Sequence, residues 1–220
     1  MAQRVYQDLY EVMKSRRGPY TGVELPEFYA MVEELFTPQE AEVNNVMPKK
    51  PVTAAEIAGE MHRDENEIKA ILETMADKGL CSTFLKDNDR LYKGEPFMPG
   101  IFEYQFMSGK TSDRDRKVAG LIKAYKKAFN AARGEVKMTF PVTRVISVDR
   151  TIEAGNTVHT YDQVSTYIDK NETIGVGTCY CRQASKLVGE DTHDMPMEVC
   201  MWFGSMAEYA IERLGARKMT

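Results

Sequence analysis

The stretch from Thr53 to Tyr92 constrains the fold more than any other. Thr53-Ala-Ala-Glu56 has the spacing of a capping box, in which a threonine hydroxyl and a glutamate three residues on satisfy each other's backbone donors. It predicts a short helix with Ile57, Ala58 and Met61 inward, a turn at His62-Arg63-Asp64, and a longer helix with Ile68, Ile71, Leu72 and Met75 in one stripe, closed by Lys78-Gly79. Leu80–Leu85, a polar tip at Lys86-Asp-Asn-Asp89, and Arg90-Leu-Tyr92 then read as a β-hairpin. Helix, turn, helix and hairpin in that order predict a winged helix.

Flanking segments extend the helical reading. Residues 2–16 place Val5, Leu9, Val12 and Met13 at helical spacing, and Pro26 opens a helix striped by Phe28, Met31, Val32 and Leu35. Thr37-Pro-Gln-Glu40 is a second capping box, and Ser112 to Asn130 carries Val118, Leu121, Ile122, Tyr125 and Phe129 in register. Further on, Arg144–Val148 and Thr173–Gly177 read as strands, Tyr161–Ile168 as a helix, and Pro196–Leu214 as the last helix, with Val199, Met206 and Ile211 inward.

Charge divides unevenly. Residues 1–108 hold 12 Lys/Arg against 19 Asp/Glu, and residues 109–220 hold 17 against 14. The helix expected over Asp64–Lys78, where a DNA reader would carry its recognition residues, has five acids (Asp64, Glu65, Glu67, Glu73, Asp77) against Lys69 and Lys78. Phosphate contacts supply most non-specific DNA affinity, so this helix would be repelled from a groove, and nucleic acid is not the expected partner. A packing or docking module is expected instead, one that could also close a homodimer. No apolar run approaches the roughly 18 residues of a membrane helix, and the N-terminus lacks the basic-then-apolar form of a signal peptide, so a cytoplasmic protein is expected.

In that setting four cysteines are read as packed, reactive or metal-binding rather than as disulfides. Cys81 lies in an apolar strand and reads as core. The others form a pattern: Cys179-Tyr-Cys181-Arg182, then His193, then Cys200. If residues 179–181 are extended, both sulfurs lie on one face, a half-site for a soft metal. A fold-back of the loop with Gly189 would bring in His193. Asp194 could cap a helix with Pro196 in its first turn and Cys200 in its second, near the positive end. Spacing alone leaves two metals open. Three Cys and one His suit tetrahedral zinc, although paired zinc cysteines prefer two intervening residues, and a four-iron cluster is also held by thiolates.

The segment Gly177-Thr-Cys-Tyr-Cys-Arg182 … His193-Asp-Met-Pro-Met-Glu-Val-Cys200-Met-Trp-Phe-Gly204 resembles the cluster-binding segment of a family of anaerobic-type 4Fe-4S ferredoxin-like oxidoreductase proteins. Their pattern is C-x-C-R, a spacer, then C-x-x-P-x-E-x-C-x-x-F-G. The resemblance extends to Arg144–Val148, Pro99-Gly-Ile-Phe-Glu103 and the winged helix with Thr37–Ala41. It implies one [4Fe-4S] cluster on Cys179, Cys181, Cys200 and His193, the last standing where the family has its third cysteine. It also implies electron transfer to a redox partner protein or within a larger oxidoreductase complex. Imidazole in place of thiolate would make the cluster less negative and raise its potential; if His193 does not bind, one iron stays open. Asp191 and Asp194 are weaker substitutes. Arg182 reads either as a charge offsetting the cluster or as a surface ion pair. The family continues into paired C-x-x-C-x-x-C motifs, whereas this chain stops at Thr220, as a truncated chain or split subunit would.

The expected fold class is thus α+β: a helical, winged-helix domain over 1–108 and a small α/β iron–sulfur domain over 109–220. The alternatives are a redox-sensing winged-helix regulator and a subunit stiffened by Zn2+. His62 and His159 read as turn and loop residues, the 14 methionines as filler, and Trp202 as a cover over the site. No phosphate-binding loop, dinucleotide fingerprint or nucleophile elbow is present.

Overall fold

A computed structural model of the chain describes residues 4–16, 18, 20, 22–134, 168–190 and 194–219. The expected strand Arg144–Val148, residues 161–167 of the expected helix, His159, Asp191 and His193 lie outside them. The fold mixes helices with two small antiparallel sheets, compatible with the α+β expectation. Among the described residues no helix is long and apolar enough to cross a membrane.

The first three helices are α1 (Arg4–Arg16), α2 (Pro26–Leu35) and α3 (Pro38–Val46). In α1 the buried stripe is Tyr6, Leu9, Tyr10 and Met13, with Val5 and Val12 half-buried. The stripe is turned toward the tyrosines because Tyr6 keeps its hydroxyl satisfied, donating to the Phe36 carbonyl at 3.0 Å. Helix α3 starts at the expected capping box: Glu40 N–H donates to Thr37 Oγ1 and Thr37 N–H to Glu40 Oε2.

Helix α4 (Ala54–Met61) begins at the Thr53–Glu56 box and stops at His62, whose φ of 51° turns the chain. Helix α5 (Glu65–Asp77) is capped by Asp64 and buries Ile68, Leu72 and Met75 completely. Each such side chain contributes about 1.5–3 kcal/mol by leaving water. Strands β1 (Cys81–Lys86) and β2 (Asp89–Gly94) follow, joined at Asp87 and Asn88. Both have positive φ, 52° and 70°, as a tight two-residue hairpin requires, and Asp and Asn adopt it at least cost among residues with a side chain.

An irregular turn over Phe97–Ile101 leads into the short α6 (Phe102–Tyr104), and then the long α7 (Asp113–Arg133), capped by Ser112 and Asp115. Helices α2 and α7 pack through an aromatic cluster: Phe28 has Tyr10, Tyr29, Phe97 and Tyr125 at ring-centroid distances of 5.3, 5.4, 5.8 and 5.8 Å, all edge-on.

The C-terminal part departs from expectation. Strand β3 (Ile174–Thr178) matches the reading of Thr173–Gly177, but a helix the sequence did not suggest, α8 (Tyr180–Leu187), follows at once. The single helix expected over Pro196–Leu214 is instead strand β4 (Glu198–Phe203) plus helix α9 (Ser205–Arg213). Alternation explains the strand. Val199 and Met201 point outward while Cys200 and Trp202 face the other way, and Met201 and Cys200 pair with Val176 and Gly177 of β3. Gly204, at φ 59°, allows the reversal into α9. A short β5 (Arg217–Lys218) completes the sheet in the order β4-β3-β5.

Helix α9 is the bridge to the N-terminal part. Its Tyr209 hydroxyl donates to the Ala76 carbonyl at the end of α5 (2.8 Å), and Arg213 reaches Glu73 and Asp77 of the same helix at 2.6 and 2.7 Å. Arg90 of β2 pairs with Glu212 at 3.0 Å. Glu73 and Asp77, two of the five acids of the Asp64–Lys78 segment, thus hold α9.

Candidate functional site

Strand β3 delivers Cys179 to the end of the sheet. The β3–β4 ladder shifts register at Gly177/Thr178, and Cys179 N–H donates to the Met197 carbonyl at 2.6 Å. That bond keeps residue 179 beside β4 after the regular pairing has ended. Cys179 is then the residue that opens α8, and Cys181 lies in its first turn. Residues 179–181 are therefore not extended. A strand cannot run on past Thr178, because the 180–187 segment gains hydrogen bonds as a helix, the first from Gln183 N–H to Cys179 C=O at 2.9 Å.

Cys200 is not on a helix either. It sits mid-strand in β4, opposite Gly177. The helix N-terminus expected near Cys200 belongs to Cys179 and Cys181 instead. Asp194 has a left-handed φ of 51° and caps no helix.

Cys179 and Cys200 nonetheless meet, and Cys181 lies near enough to act on both electrostatically. Burial pushes the Cys200 thiol up to about 11, against a hydrogen bond from the Tyr180 backbone N–H, while the Cys179 thiol bonds to it and both Cys179 and Cys181 act on it electrostatically. Burial also raises Cys181, opposed by the Tyr180 side chain and Lys126 and assisted by Cys179 and Glu103. These thiols are held as a mutually interacting set in which protons must leave before a soft metal can bind. Among the described residues, no group of three or more His, Cys, Asp or Glu side chains is already drawn up around a common point in the manner of a metal site.

Around the sulfurs lies a polar shell. The Tyr180 hydroxyl stands between the Glu103 carboxylate and the Cys181 thiol; burial first, then both neighbours, drive its pKa up. Glu103 is buried, which raises its own pKa, and its Oε2 accepts the Gly100 N–H at 2.8 Å. Sequence reasoning missed Glu103 and Tyr180 as site residues. Glu103 stands in the Pro99–Glu103 segment and Tyr180 within C-x-C, so neighbouring motifs were the one available signal.

Arg182 donates to the Pro196 carbonyl, tying α8 to the chain before β4 rather than to a sulfur. Trp202 shares the Cys200 side of β4, and its ring centroid is 6.2 Å from that of Tyr104. Its Nε1 is buried and has no acceptor among the described residues. Cys81 is fully buried, as expected of a core residue, and burial raises its thiol far above the usual range.

Thiols beside a helix N-terminus that favours negative charge are a donor set of the kind that a soft metal or an anionic cluster would take. No known family model, no curated protein and no solved structure matches this chain.

Proposed function

We propose that the protein is a cytoplasmic iron–sulfur electron carrier, or the electron-transfer component of a larger oxidoreductase, with one [4Fe-4S] cluster on Cys179, Cys181, Cys200 and His193. The observation that supports this reading is the approach of the Cys179 and Cys200 thiols, 21 positions apart, at the junction of β3, β4 and α8, with Cys181 close enough to act on both electrostatically. When bound, the cluster supplies one-electron chemistry.

The chain's own residues then have defined tasks. The Cys179 N–H to Met197 bond holds the strand end, so that Cys179 and Cys200 stay adjacent. Tyr180 offers a backbone N–H to Cys200 and a hydroxyl toward Cys181, and hydrogen bonds to ligand sulfurs make reduction easier. Trp202 packs beside Tyr104 on the Cys200 face of β4 and keeps water from it.

We read α4, α5, β1 and β2 as a winged helix that serves as a docking element for a redox partner or a second copy. The Arg213 contacts to Glu73 and Asp77 count against DNA reading, since they bring α9 against the helix that would enter a groove.

Anaerobic purification tests the reading. About four iron and four sulfide per chain and a reducible EPR signal are expected. Stoichiometric zinc without sulfide would overturn it in favour of a zinc-stiffened subunit. The His193→Cys variant should retain the cluster at a lower potential, and His193→Ala should lose iron. Equal iron content and equal potential in both variants would remove His193 from the ligand set.

A further inference from the structure

Between α7 and α8 lies a cavity of about 260 Å³. Ile122, Ala119, Ala184 and Val188 give it apolar walls, and Lys126, Tyr180 and Cys181 also line it. It is big enough for a single-ring molecule, since an apolar cavity of about 150 Å³ holds benzene.

Among the described residues, the polar groups around it are engaged except for Lys126. At the rim Lys123 pairs with Glu190 at 2.6 Å, and Ser185 Oγ donates to the same carboxylate at 2.8 Å. Tyr180 is occupied by Glu103 and Cys181. Lys126 has no ion pair within 4.0 Å among the described residues. Its Nζ lies 5.1 Å from the Phe102 ring centroid and 5.4 Å from that of Tyr20, so the charge is held against two aromatic faces. Glu103 acts on it electrostatically without forming an ion pair with it. An ammonium that lines a largely apolar cavity and has no ion pair among the described residues is an arrangement that orients a ligand having an apolar body and one anionic end.

We propose that this cavity binds a small monocyclic or branched-chain carboxylate, its body against Ile122 and Val188 and its carboxylate on Lys126 Nζ. The ligand would lie against Cys181, so its binding would be felt at the cluster we propose there. The cavity itself is built by α7 and α8 and does not depend on that reading.

The test is calorimetric titration of the full chain, purified anaerobically, with benzoate and with benzyl alcohol, which has the same ring and no charge. Iron and sulfide are measured on the same sample, so that absence of a cluster and absence of binding are read separately. Saturable 1:1 binding of benzoate, about tenfold or more tighter than benzyl alcohol, is expected. Lys126→Met should weaken benzoate by a similar factor and leave benzyl alcohol unchanged. Ile122→Trp, which fills the cavity, should abolish both, with circular dichroism confirming that each variant is folded. No saturable benzoate heat with the parent chain would overturn the proposal, as would a folded Lys126→Met variant that binds benzoate as well as the parent.

Discussion

Arg213 Nη2 lies 2.6 Å from Glu73 Oε2, joining the last helix of the chain to a helix 140 positions earlier. Nη1 of the same guanidinium holds Asp77 at 2.7 Å, and Glu73 also accepts from Tyr92. Arg213 is 15% exposed at its side chain, so the pair is only partly screened by water. Arg213→Ala should therefore destabilise the protein by about 1–3 kcal/mol, by leaving Glu73 with one partner fewer in a half-buried position. Chemical denaturation measures it; a loss indistinguishable from zero would mean that α9 is held by Tyr209 and apolar packing alone.

The same site sets a pH dependence. Burial pushes the Glu73 carboxyl up, but hydrogen bonds from Tyr92 and Arg213 outweigh it, and its folded-state value lies below the ordinary 4.5. A carboxylate depressed by folding contributes stability that is complete above its unfolded value and is lost as pH falls through the folded one. The melting temperature of the parent should fall more steeply below about pH 5 than that of Glu73→Gln. Parallel curves would show that the pair adds nothing to acid stability.

Gly94 ends β2 against a buried cation. Arg16, 8% exposed, donates to Asn44 Oδ1 at 2.6 Å and to the carbonyls of Asn44 and Met47 at 2.7 and 3.1 Å. A Cβ on Gly94 would stand 2.4 Å from Arg16 Nη2. Gly94→Ala should thus cost about 1–3 kcal/mol, since the guanidinium cannot retreat without breaking those bonds. Urea unfolding of the variant against Gly59→Ala, where nothing lies within 4 Å, gives the comparison.

Cysteine chemistry should separate core from site. In metal-free protein, iodoacetamide should label exposed Cys181 first and Cys81 only after unfolding, because Cys81 is fully buried. Peptide mass spectrometry reads the order. Labelling of Cys81 at a rate close to that of Cys181 would contradict the packing of β1 on α5.

Tyr180→Phe withdraws a hydroxyl from Cys181 and leaves the backbone N–H to Cys200 in place. Fewer hydrogen bonds to ligand sulfur leave more electron density on a cluster, so the variant should show a more negative potential in an EPR-monitored redox titration with unchanged iron content. An unchanged potential would assign Tyr180 to packing.

The helical N-terminal part was legible because its signals are local. Thr37, Thr53, Asp64 and Ser112 start helices where their side chains can reach the third backbone N–H, and Asp87-Asn88 turns the hairpin; each rule acts within about four residues and needs no partner elsewhere. The stripes of α2, α5 and α7 follow from the same period. The C-terminal part was less legible. Val199 to Phe203 is apolar enough for either a helix or a strand, and what decides is β3, more than twenty positions earlier, offering a paired edge.

By itself, then, the sequence determined the capped helices and the hairpin. Tertiary structure alone decided that Cys200 lies on a strand beside Cys179, that Cys179 opens a helix with Cys181 in its first turn, and that Glu73 and Asp77 face Arg213. Side-chain caps and turns are settled by neighbours in the chain, whereas strand pairing and ion pairs between distant segments have no energy until the core brings those segments together.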